Sequence, residues 1–111
     1  MSRDDATLLQ IVEAARLVLE FVKDHDRGSF AADARTRSAV LYQLLVIGEA
    51  AKRLSEPFRQ QHPGVPWSAA ARLRDKVIHG YDVVDVDQVW QTAQADIPVL
   101  LTDLEPLVPR E

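Results

Sequence analysis

Three side chains within the eight-residue run RDKVIHGY, namely Arg74, His79 and Tyr81, combine a fixed cation, a group that titrates near neutral pH and a phenol. Together they can act on a phosphate ester: the guanidinium holds anionic oxygens, and the imidazole exchanges a proton with a reacting oxygen. The run falls near the end of an expected helix. On an unbroken helix Arg74 and Tyr81 share a face, whereas His79 lies about 140° round from Arg74. Gly80 is the kind of residue that ends helices, and a break there would let the three groups converge.

The elements that must position this cluster are helical. From about Asp4 to Asp24 apolar residues recur at Leu8, Leu9, Ile11, Val12, Ala15, Leu17, Val18, Leu19, Phe21 and Val22. A thin polar stripe remains, so the first helix is expected to be covered on more than one side, by a bundle and by a partner surface. Gly28 and Ser29 punctuate the chain. A second helix is expected from the early thirties to the late fifties, with Val40, Leu41, Leu44, Leu45, Ile47, Ala51 and Leu54 as its apolar face and with Gly48, Ala50 and Ala51 permitting close approach of a neighbour.

The connector HPGVPW, residues 62–67, cannot be regular helix, because Pro63 and Pro66 lack backbone donors. Ser68 stands where an N-cap belongs, and the alanines after it lead a third helix into the cluster. Asp82, Asp85 and Asp87 precede a last helix carrying Val89, Trp90, Ala93, Ile97 and Leu101, and read as capping residues rather than metal ligands. Pro98 should kink that helix. No strand is expected. The fold class is therefore all-α, an up-and-down bundle of four to five helices forming one domain over residues 1–111.

Cysteine is absent, which excludes disulfides, thiolate catalysis and cysteine-ligated metals. His25, His62 and His79 form no close ligand pair, so neither a metal nor another cofactor is expected. No signal peptide and no membrane-spanning run is read in the sequence, and a soluble cytoplasmic protein is expected. The net charge of −4 argues against coating nucleic acid through the whole field, yet residues 52–76 hold six basic against two acidic side chains, a local +4. Anion binding and an ordinary solvated helix face fit that stretch equally well.

Four blocks in order, VIGEAAKRLS at 46–55, HPGVPW, RDKVIHGY and VW at 89–90, resemble the HepT-like branch of the HEPN proteins. Many relatives carry Asn where this chain has Asp75. The resemblance implies a homodimeric helical bundle whose two motifs face a shared cleft. It also implies a metal-independent endoribonuclease toxin, cutting tRNA or mRNA, and a minimal nucleotidyltransferase antitoxin that attaches AMP to the motif tyrosine, here Tyr81.

Metal-free RNA cleavage needs a base for the 2′-OH, an acid for the departing 5′-oxygen and a cation for the phosphate. His79 is assigned as general acid or base and Arg74 as the clamp, with Asp75 a candidate for orienting the histidine. One imidazole cannot serve as acid and base in one concerted step, which favours a site built from two copies. On its residues alone Tyr81 reads as a packed phenol; the resemblance makes it the acceptor of AMP. Trp67 and Trp90 read as packing residues, and Glu49 stays outside the site. The competing class is a non-catalytic helical module that docks a nucleotidyltransferase or holds a nucleotide.

Overall fold

Side-chain caps set most of the helix starts. Ser2 accepts a hydrogen bond from the Asp5 N–H while the Asp5 carboxylate accepts one from the Ser2 N–H, a reciprocal box that opens α1 (Arg3–Val22). Asp26 and Ser29 do the same for the short α2 (Arg27–Ala32), and Asp33 ends α2 and caps α3 (Ala34–Arg53) by accepting from Thr36 N–H. Ser55 caps α4 (Glu56–Gln61). Helices α5 (Trp67–Ala71) and α6 (Leu73–Val77) have no side-chain cap, and strands β1 (Ile78–His79) and β2 (Val83–Val84) follow. Asp85 then caps α7 (Val86–Gln91), which runs through a π-helical turn (Thr92–Asp96) into α8 (Ile97–Leu104). The computed structural model describes residues 1–79 and 83–109.

Helices α1 and α3 form the most extensive pair, with α8 against α1 and α5 against α3. Asp4, at the start of α1, accepts from both the N–H and the hydroxyl of Ser55, at 2.9 and 2.6 Å, just past the end of α3, so the two helices run antiparallel. Those two bonds hold the Asp4 carboxyl below the usual carboxylate range. Leu8, Ile11, Val12, Val18, Val40, Leu44, Ile47, Ile97 and Leu104 are fully buried between the helices. The chain thus covers most of α1 by itself; Leu17, 41% exposed, is the large apolar residue that α1 leaves to solvent.

Several sequence expectations need correction. The second helix does not continue to the late fifties. Leu54 turns extended and α4 starts anew, because Pro57 lacks an N–H and its ring would meet the carbonyl of Arg53 in a continuous helix. Gly28 and Ser29 lie within α2 rather than in a loop. The third helix starts at Trp67, not after Ser68: Pro66, with φ −79°, is the half-in residue, and its carbonyl accepts from Ala70 N–H. That helix also bends at Arg72, whose φ of −101° and ψ of 13° separate α5 from α6. A two-stranded antiparallel ladder is present, pairing Ile78 with Val84 and His79 with Val83. Two residues a side are too short to leave a periodic signal. At Pro98 the helix does not stop; the π turn ahead of it, closed by the Ile97 N–H to Thr92 carbonyl bond, provides the wider turn in which the missing donor is accommodated.

Candidate functional site

Helix α6 is held in place from below and from the side. Its Val77 is fully buried, and Lys76 forms an ion pair with Asp96 in the π turn. Where α5 bends into α6, it crosses α3 at Gly48: a Cβ built there would lie 3.5 Å from the Ala71 carbonyl oxygen, 3.7 Å from that of Ala70 and 3.9 Å from the Arg74 nitrogen. The close approach expected at Gly48 therefore exists, and it sits directly beneath the backbone that carries Arg74.

The helix ends at Val77, three residues before Gly80. Ile78 is extended, with φ −118° and ψ 124°, and its N–H bonds to the Arg74 carbonyl, so His79 emerges on β1 instead of on a helical face. The ladder fixes its neighbours. Asp85 N–H donates to Val77 O at 2.8 Å, extending the pairing one step beyond Ile78 and Val84. Asp85 thus lies opposite Val77, the last residue of α6, and is the diagonal cross-strand neighbour of His79.

That placement brings Asp85 Oδ2 to 3.5 Å from His79 Nε2, while its Oδ1 accepts from Gln88 N–H at 3.0 Å to cap α7. The imidazole is 60% exposed. Among the described residues no group hydrogen-bonds its Nδ1.

Arg74 lies on α6 with its guanidinium half exposed, 3.7 Å from the carboxylate of Asp75. Exposed ion pairs of this kind contribute only about 0–1 kcal/mol, so a phosphate can displace the carboxylate at little cost. Asp75 stands beside Arg74; the carboxylate facing His79 is Asp85. Of the other basic residues in the stretch, Lys52 pairs with Glu49 at 3.5 Å and Lys76 with Asp96, which lowers the free positive charge, while Arg53 donates to the neutral amide of Gln10 at 2.6 Å. Among the described residues Arg72 has no ion-pair partner and is exposed.

Arg74 and His79 are thus both solvent-facing on one short segment, and among the described residues no hydrogen bond or ion pair joins them. Tyr81 and Gly80 lie outside the described residues. The tryptophans pack as expected: Trp67 is buried and its indole N–H donates to the His62 carbonyl at 2.9 Å, and the Trp90 ring sits 5.2 Å from that of Phe30. From the sequence Asp85 reads only as a helix cap; its closeness to His79 depends on the hairpin, which leaves no periodic signal. Asp87, its neighbour in the acidic cluster, pairs with Arg27 of α2 at 3.7 Å.

A half-exposed guanidinium and, five residues on, an exposed imidazole faced by a carboxylate are groups that can bind a phosphodiester and move a proton at one of its oxygens. Comparison with known proteins bears on which phosphodiester. The family model described as Ribonuclease HepT-like matches residues 11–107. A protein of Thermococcus cleftensis bearing the name probable ribonuclease HepT is 42% identical over 100 residues, covering 90% of this chain and 91% of its own. Two proteins of Methanocaldococcus jannaschii, provisionally named as RNases, are each 36% identical, over 103 residues (93% of this chain, 85% of the relative) and 107 residues (95% and 98%). No solved structure matches the chain.

Proposed function

Because the chain belongs to the HepT-like ribonuclease family, we propose that it is a metal-independent endoribonuclease whose working groups are Arg74 and His79. The observation that carries this reading is the imidazole of His79, 60% exposed on the short strand that directly follows the helix carrying Arg74. In the reaction the 2′-oxygen attacks the adjacent phosphorus as a base removes its proton. The pentacoordinate phosphate gathers negative charge that Arg74 neutralises, and the 5′-oxygen leaves with a proton from an acid. The products are a 2′,3′-cyclic phosphate and a 5′-hydroxyl.

Each chain supplies one such histidine, so the acid and base are His79 from two copies across a homodimer cleft. Exposed apolar residues beside the hairpin support a second copy there: Val83, paired with His79, is 61% exposed, and Val84 beside it is 36% exposed. Asp75 keeps the Arg74 guanidinium aligned until substrate phosphate replaces it.

The chain acts as the toxin of a toxin–antitoxin pair, and its partner is a nucleotidyltransferase that transfers AMP from ATP to Tyr81. The added phosphodiester carries negative charge and competes with RNA phosphate for the Arg74 cation. The test of the nuclease is incubation of purified protein with tRNA or mRNA in excess chelator. Fragments ending in 2′,3′-cyclic phosphate that vanish with Arg74→Ala support the reading; intact RNA with the wild-type protein favours a binding module and removes it.

A further inference from the structure

The carboxylate of Asp85 is tied to two elements at once. Oδ1 accepts the Gln88 N–H and starts α7, whereas Oδ2 faces His79 Nε2 at 3.5 Å. Its own N–H is fixed to Val77 O at 2.8 Å, so backbone, cap and carboxylate share one rigid frame with β1. A cap needs one side-chain oxygen, and serine or asparagine provides it as well as aspartate does. The second oxygen is therefore free for the histidine.

We infer that Asp85 is a positioning residue for His79: its Oδ2 receives the Nε2–H, which fixes the ring plane and leaves Nδ1 as the nitrogen that exchanges a proton with RNA. The inference rests on the nuclease reading above. The gap of 3.5 Å exceeds a closed hydrogen bond, and contacts of this kind shorten when substrate fixes the ring. The chemistry parallels other carboxylate–imidazole pairs, in which the carboxylate sets tautomer and orientation without taking the proton itself. Across the ladder the diagonal distance suits this role, since opposed residues two steps apart are within reach of side chains of this length.

The two jobs of Asp85 can be separated by substitution in the full-length protein. Asp85→Ser keeps a cap but is too short to reach His79, whereas Asp85→Glu restores a carboxylate and caps poorly. The expected result is a crossed pattern. Asp85→Ser melts near the wild-type temperature, but its kcat falls at least about tenfold with KM nearly unchanged, the mark of lost alignment rather than lost binding. Asp85→Glu melts about 4 °C lower and recovers most of the rate when assayed well below that temperature. The His79 ring signals in a heteronuclear NMR spectrum of the uncut protein should also move in Asp85→Ser, whether or not RNA is cleaved. Wild-type kcat in a stable Asp85→Ser protein, or unmoved His79 ring signals, overturns the inference. An inactive wild-type protein whose His79 signals still move with Asp85→Ser instead counts against the nuclease reading alone.

Discussion

Replacing Gly48 by alanine should stabilise the protein, although the glycine is buried where α3 crosses α5 and α6. The added Cβ would meet the Ala71 and Ala70 carbonyl oxygens at 3.5 and 3.7 Å, which is ordinary van der Waals contact. No steric cost therefore offsets the helix propensity gained inside the long α3, about 0.8–1 kcal/mol for Gly to Ala. For a domain of this size that corresponds to a melting temperature about 4 °C higher. Larger side chains have nowhere to go, because the atoms they meet are backbone and cannot rotate away. Gly48→Leu should cost about 1–3 kcal/mol through overpacking and should displace the segment that carries Arg74, lowering RNA cleavage as well. Thermal melts followed by circular dichroism, with urea unfolding as a check on the free energy, read the first effect, and the cleavage rate reads the second. A Gly48→Ala protein destabilised by more than about 1 kcal/mol would show that the crossing is tighter than these distances allow and refute the reasoning.

Two further outcomes follow from the interhelical contacts and from the proposed acceptor residue. The folded-state pKa of Asp4 is lowered, chiefly by the Ser55 hydroxyl and then by the Ser55 N–H, so its contribution is present above the ordinary aspartate value of about 3.9 and is lost as pH falls through the lower folded value. The melting-temperature gap between wild type and Asp4→Asn should accordingly be widest near neutral pH and should close below pH of about 4; a gap that stays constant down to strongly acidic pH contradicts this. With ATP and the partner nucleotidyltransferase, intact-mass spectrometry should show whole AMP units added to the wild-type chain and none on Tyr81→Phe. A Tyr81→Phe chain still modified and silenced excludes that residue as the acceptor.

The long helices were legible because their apolar residues recur at helical spacing and their ends carry Asp or Ser with an accessible partner, as at Asp33 and Asp85. The breaks were less so. Pro57 stops α3 short of the expected end, yet in the sequence it sits inside a stretch whose apolar pattern runs on through Leu54 toward Phe58. At Arg72 the bend has no sequence marker, since alanine and leucine on either side favour helix and the geometry is set where α5 and α6 cross Gly48. The proposed site is half readable in the sequence. Arg74 and His79 stand out by type and spacing, whereas the carboxylate facing the histidine comes from across a ladder of two residues a side. Pairing that short depends on tertiary position, with Val77 buried in the core and Asp85 fixed at the start of α7.

The central claim is that His79 moves the proton when RNA is cut without metal. Its most direct test is the single-turnover cleavage rate of a defined RNA in excess chelator, compared between wild type and a His79→Ala protein with an unchanged melting curve. Acid–base assistance is worth about 10²–10⁴-fold, so the account predicts a loss of that size, with 2′,3′-cyclic phosphate ends on the wild-type products. A folded His79→Ala protein that cuts at the wild-type rate contradicts it.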